Sequence, residues 1–283
     1  MDVSVSIVTY NSAEHIDRCI DSLGPAAGGL SWEAIVVDNA SPDDTVARLR
    51  KRRDARIVAS ERNLGFGAGH NVAFRQAEGR YFLCFNPDAS LKPGALRRFV
   101  QVLDERPEIG LAGGRIFRPG GQPGGNSARY IESGFEFALR NCAPTPSRII
   151  SRFPPEVWDC TELREVDAIV GSCMLFRSEA FAATSGFDES FFMYQEAADI
   201  AVRLRRVGWR ILIVPDAEVV HVGNGSRQQR RLTRSRMRAS SRIFAHKHYG
   251  RLEALFADVL AETSDHLRLD DLLQVYLRFK NSR

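Results

Sequence analysis

The 283-residue sequence predicts an α/β fold, a mostly parallel twisted sheet flanked by helices and followed by a C-terminal helical appendage. Short β-branched runs alternate with helical patterns through the N-terminal part of the chain, which is the mark of βαβ units. One of those runs, Tyr81-Phe-Leu-Cys-Phe85, is apolar throughout, as a strand buried on both faces must be. Beyond Gly225 strand patterning stops and only helical spacing remains.

The elements follow in order. Val3–Thr9 is rich in valine and isoleucine and reads as the first strand. Ile16, Cys19, Ile20 and Leu23 recur on one helical face, and Gly24-Pro25 is expected to end that helix. A second strand over 32–37 closes on Asp38-Asn-Ala. In Ser41-Pro-Asp-Asp44, the serine suits a helix cap, Pro42 the first turn, and the acids the positive end of the helix dipole. Arg56–Ala59 is a short third strand, Asn63-Leu-Gly-Phe-Gly-Ala-Gly-His-Asn71 opens another helix, and Tyr81–Phe85 is the fourth strand. Residues 93–105 read as helix and 110–117 as strand. Residues 118–164 are rich in Gly, Pro and Ser with little periodicity, and a loop of that length in a compact domain is usually functional. A strand is expected over 166–176 with Gly171-Ser172 in its middle. A helix bearing Ile200, Leu204 and Val207 follows and stops at Gly208-Trp209. Two short strands come next, 211–214 and 218–222, the second holding His221. The domain boundary is set at 225, with 226–283 as the helical segment; its last stretch puts Leu269, Leu272, Leu273, Tyr276 and Phe279 on one face. That face would form a homodimer or pack back on the main domain.

Composition narrows the class. With 44% apolar and 26% charged residues the chain is an ordinary globular protein. No apolar run approaches the roughly 18 residues that span a bilayer, and Met1-Asp-Val-Ser-Val is not a signal-peptide start. The five cysteines are scattered without C-x-x-C spacing, which points to a reducing, cytoplasmic setting and away from zinc. The net charge of +4 is uneven, since seven arginines fall between residues 227 and 242. They call for an anionic partner. Nucleic acid is excluded as that partner, because no aromatic residues interleave as a stacking platform.

The polar groups at strand ends carry the chemistry. In an open α/β sheet ligands gather at the carboxyl ends of strands, and Asn86-Pro-Asp88 lies at such an end. Asp88 suits a hard divalent cation that keeps waters and binds phosphates; alternatively Pro87 breaks the strand and Asp88 caps the next helix. Thr9-Tyr10-Asn11, Asp38 and Asn63 also follow strands. A carboxylate there can accept the imide N–H of a pyrimidine and an amide can bond carbonyls or ribose, although each residue also serves as a turn former. Gly65-Phe-Gly-Ala-Gly69 lacks the spacing of a dinucleotide fingerprint and fits close packing of helix on sheet.

Taken together, Val5-Ser-Ile-Val-Thr-Tyr-Asn11, Val36-Val-Asp-Asn-Ala-Ser41, Asn63 to Asn71, Phe85-Asn-Pro-Asp88, Gly186-Phe-Asp-Glu-Ser-Phe-Phe-Met-Tyr194, Arg203 to Trp209, and Val214-Pro-Asp-Ala-Glu-Val-Val-His221 occur in order and at fitting distances. They resemble the family-two inverting glycosyltransferases of GT-A fold, above all the bacterial rhamnosyltransferase-like branch. The resemblance implies a nucleotide-sugar half over about 1–115 and an acceptor half over about 116–225. Asp38, with Thr9, Tyr10, Asn11 and Asn63, would hold the nucleoside of the donor, and Gly65, Asn71 and Asn86 would lie on the donor side. Asn86-Pro-Asp88 matches the family's D-x-D motif but departs at its first residue. Asp88 and His221 would hold manganese or magnesium, the imidazole favouring manganese. Arg227 would reach the donor diphosphate; alternatively residues 227–242 rest on anionic lipid at the inner face of the membrane, or form a solvated face. Gly171, Ser172 and Glu196 would flank the acceptor, a saccharide or lipid-linked saccharide in cell-surface glycan assembly, with dTDP-rhamnose as donor.

The family's base is the Asp of a Glu-Asp pair opening a helix after Phe-Phe-Met-Tyr. Here Glu196 matches the Glu, Asp199 a later Asp, and the base position is Ala197. A methyl group takes no proton. Three explanations stand: an acid replaced by alanine to trap a complex, which the intact flanking motif favours; Glu196 serving instead; or a protein that binds a nucleotide sugar without transferring it.

Overall fold

A computed structural model describes residues 1–124, 127–129, 131, 133–142, 160–223 and 227–262. The chain forms two compact units, Met1–Tyr130 with Trp158–Phe192 and Glu196–Asn224, and Ile131–Val157 with Met193–Gln195 and Gly225–Arg283.

The first unit runs β1 (Val3–Thr9), α1 (Ile16–Asp21), α2 (Leu23–Ala27), β2 (Trp32–Asp38), α3 (Thr45–Leu49), β3 (Arg56–Ala59), α4 (Phe66–Phe74), β4 (Tyr81–Phe85), β5 (Ala89–Leu91), α5 (Ala95–Glu105), β6 (Ile109–Phe117) and β7 (Ala128–Arg129). After α6 (Gly134–Asn141), which belongs to the second unit, come β8 (Arg164–Glu165), β9 (Ala168–Ile169), β10 (Cys173–Arg177), α7 (Ser178–Ala183), α8 (Glu196–Arg206) and β11 (Arg210–His221). The main sheet has the order β3-β2-β1-β4-β10-β6-β11-β5, with β8 also on β11. Parallel pairing holds from β3 to β4. Beyond β4 the sheet is mixed, because β10 runs antiparallel to both β4 and β6 while β6 and β11 are parallel.

Both faces of this sheet are buried. Tyr81, Leu83 and Phe85 point into one core with Val5, Val36 and Phe99. Phe82 and Cys84 point into the other with Val37, Phe176 and Phe181. The continuous apolar run of β4 is the direct result. The register sets Thr9 level with Asp38, so the polar ends of β1 and β2 share one edge.

Several expectations change. The first helix breaks at Ser22, and α2 tolerates Pro25 because a first-turn proline has no N–H to lose. Ser41 does not cap α3, whose N-cap residue Asp44 makes no side-chain cap bond; Asp43 Oδ1 accepts from Thr45 N at 3.1 Å in a turn just ahead of the helix. The strand predicted over 166–176 divides into β9 and β10 at Gly171-Ser172, since β9 pairs with β7 and β10 with β4. The two strands predicted over 211–222 are one, β11, carrying a register shift between Val214 and Glu218. Pro215 sits in that irregularity, where a missing N–H costs no ladder bond. Within 118–164, α6 begins with a full capping box between Ser133 and Glu136.

The second unit contains α6, α9 (Arg227–His248) and α10 (Arg251–Glu262). Phe137 of α6 stacks on Phe244 of α9 at 4.8 Å. Arg242 Nε donates to Asp258 Oδ1 at 2.8 Å and its Nη2 to Glu262 at 3.2 Å, pinning α9 to α10. The apolar stretch 269–279, and with it the predicted homodimer face, lies outside the described residues, as do the side chains of Arg227 and its neighbours through 232. No helix among the described residues is long and apolar enough to cross a membrane.

Candidate active site

The end of β4 gathers three of the predicted residues. His221 Nε2, at the end of β11, lies 3.1 Å from Asp88 Oδ1 and 3.3 Å from Asn86 Nδ2. The Gly223 N–H donates to Asp88 Oδ2 at 3.1 Å. Burial works to raise the Asp88 carboxyl, but the bonds from His221 and Gly223 outweigh it and hold the group below the usual carboxylate range. Asp88 is therefore an anion at neutral pH. One ring nitrogen cannot at once accept from an amide N–H and donate to a carboxylate. Nε2–H donating to Asp88 is the arrangement that lowers the carboxyl; with the ring proton on Nδ1 instead, the Nε2 lone pair and the Asp88 oxygen are donors of the kind a divalent cation takes. Asp88 and His221 thus fit a metal, although the described residues hold no group of three or more acidic, histidine or cysteine ligands.

The nucleoside side is built from β1 and β2. Asp38 is buried; its Oδ1 accepts from Thr9 Oγ1 at 2.9 Å and its Oδ2 from Ser41 N at 2.9 Å. Asn11, left-handed at φ 55°, donates its N–H to Ser41 Oγ at 3.0 Å. Asp38 therefore ties the Thr9–Asn11 turn to the Ser41 loop, and Tyr10 is left half exposed above it. The neighbouring Asn39, which sequence reasoning missed, donates its amide to Gly65 O at 3.0 Å.

Three predicted donor residues prove to be occupied with the scaffold. Asn63 Oδ1 accepts from Gly65 N at 2.9 Å, a side-chain turn. Gly65 has φ 90°, and a Cβ there would come within 2.3 Å of Phe192 O. Asn71 spends its side chain on the following loop, donating to Phe187 O and Glu189 Oε1 and accepting from Phe187 N at 2.9 Å. The glycine motif is a packing device, as its spacing predicts: a Cβ on Gly67 would stand 2.8 Å from Phe187 Cβ, and one on Gly69 2.8 Å from Val8. Under it, His70 is fully buried, its Nδ1 2.7 Å from Ser6 Oγ, and burial lowers its pKa to about 3.

Gly171, expected beside the acceptor, lies next to the start of α8. A Cβ on Gly171 would lie 3.8 Å from Ala197 Cβ and 3.7 Å from the Phe66 ring, ordinary contact distances, so Gly171 and position 197 are neighbours. Next in the chain, Ser172 O accepts from Asn86 N at 3.0 Å, and the buried Ser172 Oγ has no hydrogen-bond partner among the described residues. Ala197, Gly171, Ser172, Asn86, His221 and Asp88 thus form one contiguous chain of neighbours. Glu196 is buried at the first position of α8, where the helix dipole favours a carboxylate. Asp199 is fully buried and accepts from Arg203 Nε at 2.7 Å, while Arg203 also donates to Gly186 O at 2.9 Å. Arg203, oriented by this ion pair, fastens α8 to the preceding turn through the Thr184 and Gly186 carbonyls. Before α8, Tyr194 (φ 71°) and Gln195 (φ 65°) are both left-handed, a conformation costing of order 1–3 kcal/mol per residue.

This arrangement agrees with comparisons to known proteins. Residues 4–183 match the profile of glycosyl transferase family 2, more than half of the chain. The chain belongs to glycosyl transferase family 2. It is 30% identical over 237 residues to an N-acetylglucosaminyl-diphospho-decaprenol L-rhamnosyltransferase of Mycobacterium tuberculosis, covering 77% of this chain and 75% of that one. It is 24% identical over 279 residues to the rhamnosyltransferase WbbL of Escherichia coli K12, covering 90% and 99%. S. aureus TarS 1-349, solved in complex with UDP-GlcNAc, superposes with a TM-score of 0.58 at 20% identity, covering 93% of this chain and 71% of that one; this likeness concerns the fold, which is GT-A. The protein is a nucleotide-sugar glycosyltransferase of the rhamnosyltransferase-like branch. Asn63 and Asn71 hold neighbouring backbone with their side chains, and Asp88, His221 and Asn86 face one another at the end of β4.

Proposed function

We propose that this glycosyltransferase moves L-rhamnose from dTDP-rhamnose onto a lipid-linked saccharide of cell-surface glycan assembly, with inversion, and that Ala197 leaves this form impaired. The observation that carries the reading is the convergence of Asp88 and His221, 3.1 Å apart, at the end of β4. The printed activity of the mycobacterial relative supports the sugar and the lipid-linked acceptor. Asp38 keeps lone pairs for the imide N–H of thymine, and Tyr10 offers its exposed ring to the base. Asp88 and His221 orient the diphosphate end, with Asn86 beside them. Manganese or magnesium held by this pair would take up charge on the departing diphosphate.

The acceptor hydroxyl attacks the anomeric carbon opposite the diphosphate; one C–O bond forms as the other breaks, and the hydroxyl proton passes to a base. Residue 197 supplies none, so the neighbouring Glu196 carboxylate is left to take it at reduced rate. The unpartnered Ser172 hydroxyl orients the acceptor beside Gly171. The arginines of α9 meet anionic headgroups at the inner membrane face, but without Arg242, which is committed to Asp258 and Glu262.

Thermal denaturation with a panel of nucleotide sugars, with and without manganese, tests the reading. A donor at 100 times its Kd stabilises by about 2.7 kcal/mol, so dTDP-rhamnose with manganese is expected to raise Tm by about 5 °C or more. No shift with any nucleotide sugar contradicts it. The methyl of Ala197 also favours a second reading, a binder without transferase activity; calorimetric donor binding with no product from a polyprenyl-diphosphate-linked N-acetylglucosamine acceptor selects that one.

A further inference from the structure

Gly171 is a glycine that neither its backbone nor its packing demands. Its φ lies outside the left-handed region. Apart from its chain neighbours, the nearest atoms to a Cβ built there are Phe66 Cζ at 3.7 Å, Ala197 Cβ at 3.8 Å and Met174 Cε at 3.9 Å, all ordinary contacts. Other glycines of the same unit differ. A Cβ would stand 2.8 Å from Phe187 Cβ at Gly67, from Val8 at Gly69 and from Trp209 Cβ at Gly110, so there the fold itself excludes a side chain. The three atoms around Gly171 are all carbon, while Gly171 and Phe66 remain partly exposed.

Both sides of this patch are fixed. Val170 N–H donates to Ser127 O at 2.9 Å and Ser172 O accepts from Asn86 N at 3.0 Å, so the backbone is held before and after Gly171. Phe66 N–H donates to Phe192 O at 3.0 Å, and Asn39 holds the preceding residue through Gly65 O. The Phe66 ring meets His70 edge-on at 4.4 Å and Phe187 at 5.9 Å.

We propose that Phe66, Gly171 and the Cβ of residue 197 form a specificity subsite that takes a methyl group of a sugar substrate. A sugar hydroxyl pressed on these carbons would leave water without gaining a partner, whereas a methyl has no hydrogen bond to lose. Position 197 keeps its Cβ as alanine or as aspartate, so the subsite does not depend on the base. The inference rests on the transferase reading, which brings two methyl-bearing sugars to this place. One is a 6-deoxy donor, through its C6 methyl; the other is an N-acetylated acceptor, through its acetamido methyl.

Calorimetry on the full chain compares the parent with Gly171→Ala, whose added methyl fills the subsite. The donor arm sets dTDP-L-rhamnose against dTDP-L-lyxose, the same sugar without its methyl carbon, both with manganese. The acceptor arm sets farnesyl-diphosphate-linked N-acetylglucosamine against its glucose counterpart. In at least one arm the parent is expected to bind the methyl-bearing sugar about 10-fold tighter or more, and Gly171→Ala to bring the pair within about twofold by weakening the methyl-bearing member alone. The melting temperature of Gly171→Ala is expected at or above the parent's, because alanine placed without strain stabilises through the unfolded chain. An unchanged preference in both arms overturns the proposal. So does a melting temperature lower by about 4 °C or more, which would show that the fold needs the glycine. Binding without a methyl preference in the parent sinks the subsite alone. If the parent binds none of the four compounds, the transferase reading has failed and the subsite falls with it.

Discussion

The end of β4 and the start of α8 stand on either side of Gly171-Ser172, and they are equipped differently. At the end of β4 polar side chains face one another: Asp88 is held as an anion, His221 lies against it, and Asn86 lies beside them. At the start of α8 the framework is elaborate, with a left-handed turn, a buried ion pair and Gly171 next to position 197. The residue that framework presents is an alanine. The contrast separates what folding needs from what transfer needs. Asp199 and Arg203 pair within α8 and Arg203 bonds the 184–186 turn, so the packing of this helix does not depend on an acid at 197.

The largest expected effect breaks the contrast directly. Ala197→Asp should raise transfer by about 10²–10⁴, the usual contribution of a positioned base, measured as product formed per enzyme under saturating donor; equal rates in the two forms would place the base elsewhere. Asp88→Asn keeps the shape and removes the charge, and manganese-dependent donor affinity should fall about 100-fold by calorimetry. An unchanged affinity would mean that the end of β4 is merely a turn. Asp199→Asn leaves Arg203 without its anion and should cost about 3 kcal/mol in urea unfolding, with donor affinity retained because β4 is untouched. Asn71→Ala, which frees the Phe187 loop, should cost about 2 kcal/mol, read in the same way.

The smallest effect concerns pH. His70 is neutral in the fold, its pKa lowered by burial to about 3, whereas in the unfolded chain it titrates near 6.5. Below 6.5 the unfolded state takes up a proton that the folded state refuses, so stability falls as pH falls toward 3. Between pH 7 and 5 the loss from this group is about 2 kcal/mol. The variant His70→Gln should flatten that part of the curve, and an equal slope in both proteins would show that another group governs it.

Much of the donor half was legible because its signals are local. Valine- and isoleucine-rich runs made β1 and β2 and a continuous apolar run made β4, and Asn11, Asp38 and Asn86 stand at or just after their ends. The scaffold bonds of Asn63 and Asn71 were not legible, because a turn former and a ligand have the same residue types and only the partners show the bonds. The break at Gly171-Ser172 and the continuity of β11 through Pro215 depend on which strand lies alongside, which no local pattern contains. The α6 helix did leave a mark, the Ser133-Gly-Phe-Glu136 capping box, lost among the surrounding glycines and prolines. Nothing in the sequence announces the Gln195–Ser241 bond, since its partners are 46 residues apart and positive φ at glutamine has no compositional sign.

The account stands or falls on the donor half being complete in a chain whose position 197 is a methyl. Calorimetric titration of dTDP-rhamnose, with and without manganese, into the native chain and into Ala197→Asp measures that directly. Metal-dependent binding with Kd values within about twofold of each other is the predicted result. Absence of binding by the native chain, or binding gained only with the aspartate, contradicts it.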